Sequence, residues 1–103
     1  MFIMTTVLYP PDKAVKVAKK FIEATTKPLP PFMKRLYVFT TARTDLGMKT
    51  CGIYEVDDAK LKEGIIELTK YFVQFYDIEG FKYEVEPMLT AQEAIPLLGI
   101  KMP

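Results

Sequence analysis

Residues 36–56, Leu36-Tyr37-Val38-Phe39-Thr40-Thr41-Ala42-Arg43-Thr44-Asp45-Leu46-Gly47-Met48-Lys49-Thr50-Cys51-Gly52-Ile53-Tyr54-Glu55-Val56, decide how this chain folds. Leu36 to Arg43 is rich in β-forming residues and is numbered strand β2. Thr44-Asp45-Leu46-Gly47 carries a turn signal, and Thr50 to Val56 forms β3. The three segments together predict a β-hairpin. With the turn centred between Leu46 and Gly47, Phe39 opposes Tyr54 and Val38 opposes Glu55. That register puts Tyr37, Phe39, Thr41, Arg43 and Tyr54 on one face, and Leu36, Val38, Thr40, Ala42, Cys51 and Ile53 on the other. The aliphatic set suits packing beneath helices, which leaves tyrosines and an arginine on the open face.

Downstream of the hairpin the period changes. After Asp57-Asp58, the apolar residues Leu61, Ile65, Leu68, Phe72 and Phe75 recur at intervals of three and four, the stripe of a helix α2 that faces the sheet. Asp77-Ile78-Glu79-Gly80 turns the chain into β4, Phe81 to Glu86. There Phe81, Tyr83 and Val85 alternate with Lys82, Glu84 and Glu86, so one face is wet. Upstream, Phe2 to Tyr9 is apolar on both alternating faces, as in a strand β1 in the middle of a sheet. Pro10-Pro11-Asp12 opens a helix α1 reaching Thr25, with Ala14, Ala18, Phe21 and Ile22 inward and Lys13, Lys16, Lys19, Lys20 and Glu23 outward. Pro28-Leu29-Pro30-Pro31 is an extended connector.

The last stretch has its own signals. Thr90-Ala91-Gln92-Glu93 is a capping box, and Pro96 and Gly99 limit the short helix it opens. Ile66 and Val73 lie on the outer side of α2, and Leu97, Leu98 and Ile100 are the expected cover for them. We therefore expect one domain over residues 1–103, with a core from 2 to 87 and a covering segment from 88 to 103.

Composition narrows the chemistry. Half of the 103 residues are hydrophobic and 26% are charged, the balance of a globular chain able to bury a core. No apolar run is long enough to span a bilayer, and the first residues lack the basic start of a signal peptide, so the expected address is cytoplasmic with no membrane partner. A net charge of +1 gives no field to gather nucleic acid. The chain has no His, Ser, Asn or Trp and a single cysteine, Cys51. Serine triads, histidine ligation and cysteine clusters are thereby excluded, and no metal or redox cofactor is expected. Proton transfer would fall to Glu, Asp, Lys or Tyr.

The order βαββαβ, with a doubly apolar β1, a β2–β3 hairpin and an alternating β4, resembles the ferredoxin-like fold. That resemblance implies an α+β architecture with an antiparallel four-stranded sheet of order 4-1-3-2 and two helices on one face. The helix opened just after β1 and the aromatic second helix are similar to the dimeric α/β-barrel superfamily, over about Phe2 to Pro87. In that superfamily two sheets pack face to face around an interior that holds ligand in some members. The resemblance implies a homodimer, and the tyrosines and arginine of the open hairpin face suit a small anionic or aromatic ligand, with Tyr37, Arg43, Tyr54 and Glu84 as the candidate residues. Two rival readings are a cofactor-independent isomerase or monooxygenase, and a protein-interaction module acting through Lys13, Lys16, Lys20 and Lys27. Glu55, Glu84 and Glu86 are possible bases only if desolvated.

Overall fold

The central strand shows why the sheet sits where it does. In β1, Phe2–Tyr9, the buried residues Ile3, Thr5, Val7 and Tyr9 alternate with the half-buried Phe2, Met4, Thr6 and Leu8. The computed structural model describes residues 1–43 and 47–101, and of Arg43 the backbone alone. The elements are β1, then α1 at Ala14–Thr25 and β2 at Met33–Arg43. They are followed by β3 at Gly47–Val56, α2 at Leu61–Val73, β4 at Lys82–Met88 and a short α3 at Ala91–Ala94. Single 3₁₀ turns, Pro11–Lys13 and Asp58–Lys60, lead into α1 and α2, and a third, Ile95–Leu98, follows α3. The strands form one antiparallel sheet of order β2-β3-β1-β4, the expected order read from the other edge. Among the described residues no helix is long and apolar enough to cross a membrane.

The hairpin register differs from expectation, and the difference moves side chains between faces. Phe39 pairs with Cys51 and Val38 with Gly52, and the ladder continues to Arg43 opposite Gly47. Gly47 takes a left-handed φ of 89° as a paired residue at the strand end, where an added Cβ would meet the Tyr9 carbonyl oxygen at 2.6 Å. It is therefore not at the centre of the turn, and the rest of the predicted turn, Thr44 to Leu46, lies outside the described residues. A shift of three positions is odd, so it exchanges the faces. Tyr54 belongs to the buried face, 2% exposed, whereas Cys51 and Ile53 share the open face with Tyr37 and Phe39.

A bulge adds a second correction. Tyr37 pairs with Ile53 but Arg35 pairs with Tyr54, so the register slips at Leu36. Two residues that would normally point the same way are thereby split, with Tyr37 on the open face and Arg35 beneath the helices.

The core lies between the other face and the helices. Ile3, Val56, Leu68, Phe72, Phe75 and Val17 are buried in it. Gly64 lets α2 approach closely, since a Cβ there would stand 3.0 and 3.1 Å from the Val56 methyls. Along the stripe expected of α2, Leu68, Phe72 and Phe75 are buried and Leu61 and Ile65 pack against them. For α1 the seating is partial. Val17 is buried, but Ala18 is exposed and Ile22 is 63% exposed.

The C-terminal segment does not cover α2. Ile66 and Val73 are 42% and 50% exposed, and Leu97 and Leu98 about three-quarters exposed. The capping box is present: the Thr90 hydroxyl accepts from the Glu93 amide, and the Glu93 carboxylate accepts from the Thr90 amide. It orders the start of this segment locally.

Two of the α1 lysines clamp the helix instead of forming a free face. Lys16 and Lys20 both pair with Asp77, in the connection between α2 and β4, and Lys20 also donates to the Gln74 carbonyl at 2.6 Å. The Lys20 hydrogen bond holds the Asp77 carboxyl below the usual carboxylate range. A carboxyl depressed in the folded state contributes stability that is present above its unfolded value, about pH 3.9, and lost as pH falls through the folded one. Asp77→Asn is therefore expected to flatten the acid limb of the stability curve in urea titrations between pH 5 and pH 3. An acid limb as steep as that of the wild type would refute the clamp.

Candidate functional site

A cavity of about 280 Å³ lies between the sheet and both helices. Its floor is the buried face of β1 and β3, where Thr5, Gly52 and Tyr54 meet. Gly52 makes this floor possible, because a Cβ at that position would stand 2.7 Å from the Thr5 hydroxyl and 3.0 Å from the Tyr54 ring. The roof is aromatic: Tyr71 and Phe72 of α2 with Phe75 and Phe81 of the connection that follows it. Tyr71 meets Phe72 edge-on at 4.8 Å and Phe75 edge-on at 5.4 Å, while Phe75 stacks on Phe81 at 4.7 Å. Such ring pairs fix the roof beyond what area burial alone provides.

Ala18 lines the cavity from α1, and Ile22 and Val38, both exposed, mark the rim between α1 and β2. At that end the hydroxyls form a short chain, Tyr9 to Thr50 at 3.2 Å and Thr50 to Thr40 at 3.0 Å. An apolar enclosure with a few convergent hydroxyls is the usual composition of a small-molecule site, and this one falls near the lower end of the usual volume range. An apolar cavity roughly half as large already admits benzene.

The titratable groups of the lining are tyrosines only. Burial pushes the Tyr71 phenol well above its ordinary range, with a smaller contribution from Tyr54 and an opposing one from Arg35. It stays protonated at any physiological pH. The Tyr71 hydroxyl is buried and has no hydrogen-bond partner among the described residues. A buried hydroxyl left unpaired costs about 1–3 kcal/mol.

The four residues expected to form a site are not brought together. Tyr54 is beneath the helices in the cavity floor. Tyr37 is 59% exposed on the open face, stacked on Phe39 at 5.7 Å. Glu84 is exposed on the same face but on β4, opposite Thr6, in the row Phe39-Cys51-Thr6-Glu84 that crosses the whole sheet. Three strand spacings of ~4.8 Å put it some ~14 Å from the β2 edge. Arg43 pairs with Gly47, and its side chain lies outside the described residues. Glu55 and Glu86 are also exposed on the open face.

Sequence reading missed Thr5, Gly52, Tyr71 and Arg35. Gly52 in the middle of a strand was a usable signal, since an interior strand glycine often marks a close approach. No signal marked Arg35, because a bulge at Leu36 has no sequence signature there. No protein-family model matches this chain, and a search of curated proteins finds no match.

Proposed function

We propose that the protein is a homodimeric small-molecule-binding protein, a ferredoxin-like domain of the dimeric α/β-barrel kind whose ligand lies in the cavity beneath the helices. The observation that carries this reading is the 280 Å³ space floored by Gly52 and roofed by Tyr71, Phe72 and Phe75. Its lining includes no carboxylate, lysine, arginine or cysteine. Tyrosines are its only titratable groups, and burial holds the Tyr71 phenol protonated, so the lining favours binding over catalysis. Glu84, the base named for the enzymatic alternative, stands on the opposite face of the sheet.

The dimer is supported by the open face. Phe2, Met4, Leu8 and Ile53 are half-buried there beside the exposed Tyr37 and Phe39, an apolar patch on a face that also carries Glu55, Glu84 and Glu86 and that a second sheet would cover. It also accounts for a central strand with two apolar faces and only one helical layer.

Two measurements test the two halves. Titration with 1-octanol, followed by methyl shifts in NMR spectra, should perturb Val7, Val17 and Val38; no perturbation there would exclude an accessible cavity. Sedimentation velocity at micromolar concentration should show a dimer that Phe39→Asp splits, and a monomeric wild type would exclude pairing through the open face.

A further inference from the structure

Behind the Tyr54 and Tyr71 wall of the cavity runs a groove of about 540 Å³ between α1, α2 and the Pro28–Pro30 connector. Tyr54, Tyr71 and Phe75 line both spaces. The charged lining of the groove consists of Lys20, Lys27, Arg35 and Lys70 against Glu23 and Glu67, an excess of positive charge. Lys20 is committed to Asp77, and Lys70 stands 3.9 Å from Glu67.

Arg35 is different from these lysines. The bulge at Leu36 turns it beneath the helices, where its guanidinium lies between two rings, 5.5 Å from the centre of Phe21 and 5.6 Å from that of Tyr54. Its Nε donates to the Tyr54 hydroxyl at 3.4 Å, its only side-chain hydrogen bond among the described residues. None of the ion pairs among the described residues uses it. The terminal nitrogens therefore hold unused donors in the fork that matches a carboxylate. Contact with two aromatic rings restrains the guanidinium, which reduces the ordering needed when an anion arrives.

We propose that this groove is the anion subsite of the binding site, with Arg35 receiving the carboxylate of a ligand whose apolar body, an aromatic ring or a medium-length alkyl chain, lies along Tyr54 and Tyr71 into the cavity. The proposal rests on the cavity reading above and adds the chemical class of the ligand. Tyr54 and Tyr71, which line both spaces, are the surface that such a body would follow. The Thr40–Thr50 hydroxyls line the cavity away from Arg35, available to a polar substituent.

The test compares octanoate with 1-octanol, two probes with the same chain and different heads, by calorimetric titration of the full chain at pH 7. The wild type should bind octanoate at least about tenfold more tightly. Arg35→Met should remove that preference, so that the two probes bind alike, while Arg35→Lys, which keeps the charge without the fork, should restore only part of it. Raising NaCl from 50 to 500 mM should weaken octanoate and not 1-octanol in the wild type, a readout that needs no variant to fold. Equal affinities in the wild type, a salt-independent preference, or octanoate binding unchanged in Arg35→Met would overturn the subsite and leave the cavity reading intact. Failure of both probes to bind the wild type would overturn the two readings together.

Discussion

Phe72→Ala is expected to lower stability by about 3–5 kcal/mol, a large part of the ~5–15 kcal/mol that holds a domain of this size. Phe72 is 5% exposed and serves two surfaces at once. Its ring edges against Tyr71 at 4.8 Å within α2 and stacks on Tyr83 of β4 at 5.5 Å, so it joins the helix to an edge strand. Because the cavity adjoins it, the neighbours have little reason to collapse into the space left behind, and the cost falls toward the upper end of the range. At ~4–8 °C per kcal/mol the melting temperature should drop by well over 10 °C. Urea unfolding and calorimetry measure this. A loss below about 1 kcal/mol would mean that the roof is a loose cover and not part of the core.

The second large effect is on binding. Gly52→Val puts three carbons into the cavity floor, beginning with a Cβ 2.7 Å from the Thr5 hydroxyl and 3.0 Å from the Tyr54 ring. Both neighbours are buried, Thr5 at 3% and Tyr54 at 2%, so neither can swing into solvent. Two stability terms oppose each other. Overpacking costs about 1–3 kcal/mol, and replacing an interior strand glycine returns about 0.5–1 kcal/mol of chain entropy. The net loss of roughly 1–2 kcal/mol leaves a folded protein. Affinity for 1-octanol should fall at least tenfold, equivalent to about 1.4 kcal/mol. Unchanged affinity in a folded Gly52→Val protein would show that the probe binds elsewhere.

Both predictions depend on residues whose positions were not equally legible. Phe72 was: a stripe with intervals of three and four allows one buried face, and Leu68, Phe72 and Phe75 occupy it. Gly52 and Tyr54 were not, because the side on which they fall depends on a count of residues around the hairpin end. Ladder pairing continues to Arg43 and Gly47, three positions from the register that the turn signal suggested. In a structure of period two an odd error reverses every assignment. Tyr54, expected beside Tyr37, is instead buried on the opposite face.

The chain by itself determined the element order, the central position of β1, the alternation of β4 and the capping box at Thr90. Each of these is set by neighbours within a few residues: propensity, periodicity, proline and glycine punctuation, and a side chain reaching its own backbone. Composition likewise ruled out whole chemistries, since a residue type that is absent cannot act. Only the tertiary structure decided which face of the hairpin meets the helices, that a bulge sends Arg35 inward while Tyr37 stays outside, and that α1 stands far enough from the sheet to leave a cavity over Gly52. Those features come from packing between segments tens of residues apart. The free-energy differences that choose among registers and separations are sums over many contacts, none of them encoded locally.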